Sequence, residues 1–443
     1  MKIAAAGPSL AAAALLFTAC GGPSAASKKS VNALLASAQF SAAEEHLFKA
    51  KETEYGKKNA VLYYMDMGAV LHHAGKYKES DEHLDKAEMR MEELYTKSVT
   101  KASGMLLLND NTADYAGEAF ERALTNVFRA LNYVFLGKPE EAVVEARKVE
   151  QFLTELNDKR EKKAVYKDDA FARYLDSLLY ADIGKMDDAK ISYRAALAAY
   201  KWYASDYSTP EPSFDLKEKT KGSGEIVFIH YNGVAPRKIS KTFQVAWGQG
   251  VAAVNATKGD GDADAGSARV QNALRAAALG NHITVAYPDY VQDPFRIRAS
   301  EVSIDEEDPE PTQLMEDITA IAMKDLADRN ALIKTRAVAR ATVKFILAKT
   351  ASDAVTKQYG KGWGLAAKVV AGGAAAASEV ADIRGWATLP AQIRMARVKA
   401  SPGKHSLTVR FKDGAGGIVS TQVFRDVKVQ QGKRTYLSYR TAS

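Results

Sequence analysis

The chain has 443 residues, longer than a usual single domain, so two or three domains with substantial cores are expected. Apolar residues make up 47% and charged residues 26%, which fits a largely globular, soluble protein and excludes a wholly disordered one. The 61 Lys and Arg against 54 Asp and Glu leave a charge of +7, compatible with anionic envelope surfaces and spread too thinly to indicate a nucleic-acid partner.

The N-terminus reads as an export signal. Lys2 supplies a minimal positive region, residues 3–17 are mostly Ala, Leu, Ile and Phe, and Phe17, Thr18 and Ala19 lead into Cys20, the single cysteine of the chain. The run is too short for a membrane-spanning helix. It resembles the lipobox of bacterial lipoproteins, with Phe17 where that family prefers Leu, and the resemblance implies cleavage before Cys20 and acylation of its thiol and new amine. A lone cysteine cannot form an internal disulfide, but needs no partner as a lipid anchor. Gly21 implies outer-membrane sorting facing the periplasm, and residues 20–29 are expected to form a flexible lipidated tether after a signal peptide at 1–19.

Residues 30–204 read as helices in related pairs. "YMDMGAVLHHAGKYKESDEHLDKA" places Tyr64, Gly68, Leu71, Gly75, Tyr77, Leu84 and Ala87 at the spacing of a tetratricopeptide unit, where small residues let two antiparallel helices approach and Gly75 marks the turn. Ala130, Tyr133, Gly137, Ala142 and Ala146 follow the same plan, as do Tyr180, Gly184, Ala189, Tyr193 and Ala196. The turn glycines lie 62 and 47 residues apart, so the units are separated by inserted chain such as 100–115, and "SAQFSAAEEHLFKA" opens the array as a half-unit.

"SDYSTPEPSFDLKEKTKGSG" at 205–224 lacks periodicity and reads as a linker. Strand-like runs follow, "EIVFIHY" at 225–231, "TFQVAW" at 242–247, "HITVAY" at 282–287 and "FRIRASEV" at 295–302, then a helix-rich stretch over 314–380. An α+β domain over 225–390 is expected, with a small antiparallel β module at 391–443 punctuated by Pro402, Gly403 and the glycines of 414–417. The segments at 109–148, 166–184, 224–238 and 381–398 together resemble a family of bacterial lipoproteins with tetratricopeptide-like N-terminal halves. The resemblance implies an envelope location and carries no settled activity.

Motifs for chemistry are weak. Asp260, Asp262 and Asp264 alternate like the first half of a calcium loop, but Ala265 stands at the sixth position and Gln271 at the twelfth, so a solvated acidic loop is the better reading. Gly248, Gly250 and Ala253 fit a loose dinucleotide fingerprint that no following strand completes. His72, His73 and His83 cluster on adjoining helix faces without a metal-ligand pattern, and no P-loop, nucleophile elbow or HExxH occurs. The run at 364–381 contains Lys368 and leans on Ala and Gly, which suits close helix packing better than a membrane span. No catalytic set, metal site or cofactor is therefore expected.

Two surfaces remain for binding. A groove along the helical half would be lined by Met65, His72 and His73 in one unit and by Phe171, Tyr174 and Leu178 in another, and it suits a peptide segment of an envelope partner or the chain's own second half. Arg329, Arg336, Arg340 and Lys344 recur near one face of the helix "ADRNALIKTRAVARATVKFILAKTA", either to meet anionic headgroups or glycan such as peptidoglycan, or to pair with the preceding acidic loop at 303–313. The rival expectation is an enzyme in 225–390 using His230, Asn232, Arg237, Asp289, Arg384 and Trp386, which requires those side chains to converge. The reading that unites most of these features is a lipid-anchored, non-enzymatic envelope scaffold.

Overall fold

The computed structural model describes residues 22–100, 113–158, 166–216, 222–246, 282–359 and 381–442. Helices dominate the N-terminal part: α1 (Ala25–Ala36), α2 (Phe40–Ala50), α3 (Ala60–His73), α4 (Tyr77–Thr100), α5 (Ala119–Phe135), α6 (Pro139–Asp158), α7 (Ala170–Asp182) and α8 (Met186–Asp206). Three pairs, α3 with α4, α5 with α6 and α7 with α8, are closed by one turn geometry. Gly75, Gly137 and Gly184 sit at φ of 76°, 70° and 80°. The N–H of the lysine after each glycine returns to the carbonyl five residues back, Lys76 to Leu71, Lys138 to Tyr133 and Lys185 to Tyr180, at 2.8–2.9 Å. Such a closure needs a left-handed residue, which glycine adopts without a Cβ clash. At Gly68 the constraint is space, since a Cβ there would lie 2.5 Å from Leu84 of α4.

After the helices come β1 (Gly224–Asn232), β2 (Arg237–Ala246), β3 (His282–Val291), β4 (Ala299–Ile304), β5 (Glu310–Pro311), β6 (Gln313–Asp317), a long helix α9 (Ile318–Tyr359), β7 (Gln392–Ala400), β8 (Gly403–Lys412), β9 (Ile418–Val429) and β10 (Arg434–Thr441). One sheet has the order β10-β1-β7-β6, a second β5-β4-β8-β9, and β2 pairs with β3 alone. The first sheet lies between the helices and the second sheet. Along β1, Val227, Ile229 and Tyr231 enter the core shared with the helices, while Ile226 and Phe228 join Val302, Leu407, Val409 and Phe411 in a smaller core between sheets. The two-residue period of a strand thus serves two different neighbours.

Several expected boundaries change. Strands from 391–443 do not form a sheet of their own: β7 and β10 flank β1, with β10 parallel to it, and β8 pairs with β4. Alternation identifies a strand but not its partner, so a C-terminal strand can return to the centre of a sheet begun much earlier. Residues 313–317, expected at the start of a helix, pair with β7 as β6. The stretch after α8 is packed through residue 216 rather than loose: Tyr207 and Thr209 are buried, Tyr193 donates to the Phe214 carbonyl at 2.9 Å, and the Ser213 N–H donates to Gln313 at 2.7 Å. The N-terminal end of the described chain is also seated, with Gly22 and Pro23 buried, and Ser24 donates to Glu54 from its N–H and its hydroxyl. A free tether over all of 20–29 is therefore replaced by ordered chain from Gly22 onward.

Candidate functional site

Met65, His72, Phe171, Tyr174 and Leu178 are buried and His73 is half-buried, so the expected groove is occupied. Its occupant is the chain's own β half. His72 illustrates how. The Ser80 hydroxyl donates to the Gly68 carbonyl (2.7 Å), the Asn132 amide donates to Ser80 (2.9 Å), and Asn132 Oδ1 lies 2.7 Å from His72 Nδ1. That order assigns the proton of His72 to Nδ1 and leaves Nε2 to accept from the Tyr231 hydroxyl of β1 at 2.8 Å. Burial lowers the His72 pKa to about 4, so the ring is neutral as the chain of bonds requires.

The α7–α8 unit meets the sheet through charge. The Arg397 guanidinium donates to the Tyr174 hydroxyl (2.7 Å) and to Glu225 (2.8 Å), Arg434 bridges Glu225 and Asp182 (2.7 and 2.6 Å), and the Tyr436 hydroxyl donates to Asp182 (2.7 Å). The loop before β7 is held by carboxylates of the helices. Asp66 accepts from the Thr388 N–H and hydroxyl, and Glu121 accepts from the Trp386 N–H. Burial raises both carboxyls above their usual range. It also acts on Glu118, but there Lys238 and Arg329 outweigh it and hold the carboxyl at about 2.

Those contacts dispose of the basic face. Arg329 pairs with Glu118 at 2.8 Å and Asp325 at 2.6 Å rather than with the loop at 303–313 or an outside anion. Arg340 is buried, Arg336 is exposed, and the Lys344 side chain lies outside the described set. α9 packs on both the helices and β3, so Arg340 turns into the interior while Arg336 stays at the surface, and the expected basic face is not continuous.

The six polar residues of 225–390 are not brought together. His230 is buried between Ser300 (2.9 Å) and Thr441 (2.7 Å), and Asn232 bonds Ile297 and Thr441 beside it. Arg384 and Trp386 lie on the opposite, helical side, with Arg384 paired to Asp382. Arg237 pairs with Asp293, and Asp289 with Lys241, at the surface beside the β2–β3 pair. No group of three or more His, Cys, Asp or Glu among the described residues is placed to hold a metal ion. No described helix is long and apolar enough to cross a membrane. Cys20, the acidic loop at 260–264, the glycines at 248 and 250 and nearly all of 364–381 lie outside the described residues.

The arrangement the sequence did not reveal is on the other side of the helices. A cleft of about 270 Å³ opens between α4, α5 and α6, lined by Glu92, Tyr95, Arg122, Asn126, Phe152 and Glu155 among others. Arg122, Asn126 and Arg129 occupy one face of α5 at steps of four and three residues. Arg129 is enclosed by Asp81 (2.8 Å), Asp85 (3.0 Å), Glu88 and Glu145 (3.4 Å). Two turns away, the Arg122 guanidinium instead lies between aromatic rings, 5.3 Å from Tyr95 and 4.4 Å from Phe152, with no ion pair among the described residues. Burial lowers its pKa against the pull of Tyr95, Glu92, Glu88 and Glu155. Asn126 is buried, and its Oδ1 has no hydrogen-bond partner among the described residues. The helical spacing of 122, 126 and 129 was visible in the sequence, but only the ion pairs around Arg129, which Arg122 lacks among the described residues, distinguish the two arginines.

No family model matches the chain, and no curated protein or solved structure does.

Proposed function

We propose that this chain is a non-enzymatic, lipid-anchored scaffold of the bacterial envelope, facing the periplasm from the outer membrane, that engages a peptide partner through the outer cleft of a tetratricopeptide-like helical half. The observation that carries the reading is the closure of the helical inner face by the chain's own sheet, from His72–Tyr231 at one unit to Tyr174–Arg397 at another. That closure joins the halves through buried hydrogen bonds and leaves the α4–α6 cleft as a concave surface turned outward. The equal turns at Gly75, Gly137 and Gly184 support the tetratricopeptide-like plan, and the lipobox-like run ending in Cys20 supports the anchor and the kinship with bacterial lipoproteins.

The test is site-specific photocrosslinking in envelope membranes, with the crosslinker at exposed Glu92 or Glu155 on the cleft rim and at exposed Lys404 on β8 as control. Adducts dependent on the rim positions are expected. Adducts equal at Lys404, or absent from both rim positions, would overturn the reading.

A further inference from the structure

We infer that the α4–α5–α6 cleft binds a short peptide carrying a free carboxylate and a free amine, with the carboxylate on Arg122, a backbone N–H on Asn126 Oδ1 and the amine toward Glu92 and Glu155. The inference deepens the proposed function, because it rests on the cleft being the outward contact site and names what that site recognises.

Each element of the ligand answers a group left over in the structure. A guanidinium presents a planar fork of donors suited to a carboxylate. Arg129 on the same helix face shows what such a group does when carboxylates are supplied: it collects four. Arg122 makes no ion pair among the described residues, Glu88, Glu92 and Glu155 acting on it only through longer-range attraction, and its guanidinium lies over the Tyr95 and Phe152 rings. Asn126 lies one turn along with a buried acceptor that lacks a donor, and a buried polar atom of that kind is normally bonded. The rim carboxylates Glu92 and Glu155 are exposed and would repel a simple anion while attracting an amine. Acceptor, cation and anions in one cleft therefore match the amine, amide and carboxylate of a dipeptide in charge and in kind. The volume of about 270 Å³ is at the small end for ligand pockets and suits a compact ligand of this size.

Ligand-observed NMR on the full chain in detergent tests this with four probes: unblocked dialanine, N-acetyl-dialanine, dialanine amide and inorganic phosphate. Dialanine should bind best. Removing the carboxylate as the amide should weaken binding about ten-fold or more, as expected for loss of a charge-assisted contact. Acetylation should weaken it less, because the amine meets exposed carboxylates. Arg122→Gln should erase the preference for acid over amide, and Glu92→Gln with Glu155→Gln should erase the preference for a free amine. Equal binding of acid and amide, phosphate bound as tightly as dialanine, or no binding at low millimolar concentration would overturn the inference, and these comparisons use the unaltered chain. Because they need no membrane partner, dipeptide binding without rim crosslinks would overturn the scaffold reading alone, while crosslinks without dipeptide discrimination would overturn this inference alone.

Discussion

His72 Nε2 and the Tyr231 hydroxyl, 2.8 Å apart and both buried, join the third helix to the first strand across 159 residues of sequence. The bond ends a directed series in which each buried polar group has a partner, which makes it sensitive to loss of either end. Tyr231→Phe should cost about 1–3 kcal/mol by leaving a buried acceptor unpaired. The folded ring titrates near 4, below its unfolded value near 6.5, so the unfolded state binds the proton first as pH falls. This contribution is present above about 6.5 and is lost as pH falls through 4. Urea unfolding at several pH values should show that slope, and His72→Gln should reduce it, His73 and buried His230 contributing in the same direction.

The carboxyl that caps α7 gives the opposite dependence. Asp169 caps α7, accepts from the Tyr166 hydroxyl and the Ala172 N–H at 2.7 Å each, and is raised by burial to about 6. Here the folded state holds the proton longer than the unfolded one, so the contribution is full below about 4 and lost as pH rises through 6. Asp169→Asn keeps the capping acceptor and removes the charge. Relative to the natural chain it should gain about 2 kcal/mol between pH 4 and 7.5, and a constant difference across that range would refute the assignment.

Close approach of α3 and α4 depends on Gly68 facing Leu84. Gly68→Leu should cost roughly 1–3 kcal/mol, and Ala142→Phe on α6, also fully buried, a similar amount. Thermal denaturation checks both, and an unchanged melting temperature in the two variants would contradict the packing.

Phe171 and Tyr174 are interior contacts, so replacing both with Ala should act on stability rather than on partner capture. Deleting a buried aromatic costs about 3–5 kcal/mol. Loss of the Tyr174 ring also removes the hydroxyl that Arg397 reaches. Limited proteolysis should then open the chain within 205–224. A variant that stays as stable and as resistant as the natural chain would show that this contact does not hold the halves together.

Cys20→Ser should abolish palmitate labelling and move the protein from the detergent phase to the aqueous phase. Because Gly22 and Pro23 are buried in the fold, an anchor on Cys20 would hold the folded body within about 7 Å of chain from the bilayer surface. Retention of the label would remove the anchor from the reading.

The sequence by itself determined the local architecture, because periodicity and turn chemistry are short-range. Glycines 75, 137 and 184 identified where three helix pairs turn, since only a left-handed residue closes those ends, and the run at 225–231 identified a strand. Buried apolar positions such as Leu84 and Ala142 were also legible from spacing. The tertiary structure alone decided which faces met. Apolar residues of the helical inner face fit a foreign peptide or the chain's own sheet equally well, and pairing β1 with β10 depends on contacts about 200 residues apart that no local pattern encodes. The same holds for charge. Arg329 and Arg122 are both arginines in amphipathic helices, yet Glu118 reaches the first and no carboxylate among the described residues pairs with the second. What separates a structural cation from one open to a ligand is the set of groups that folding brings within a few ångströms, and composition does not specify that set.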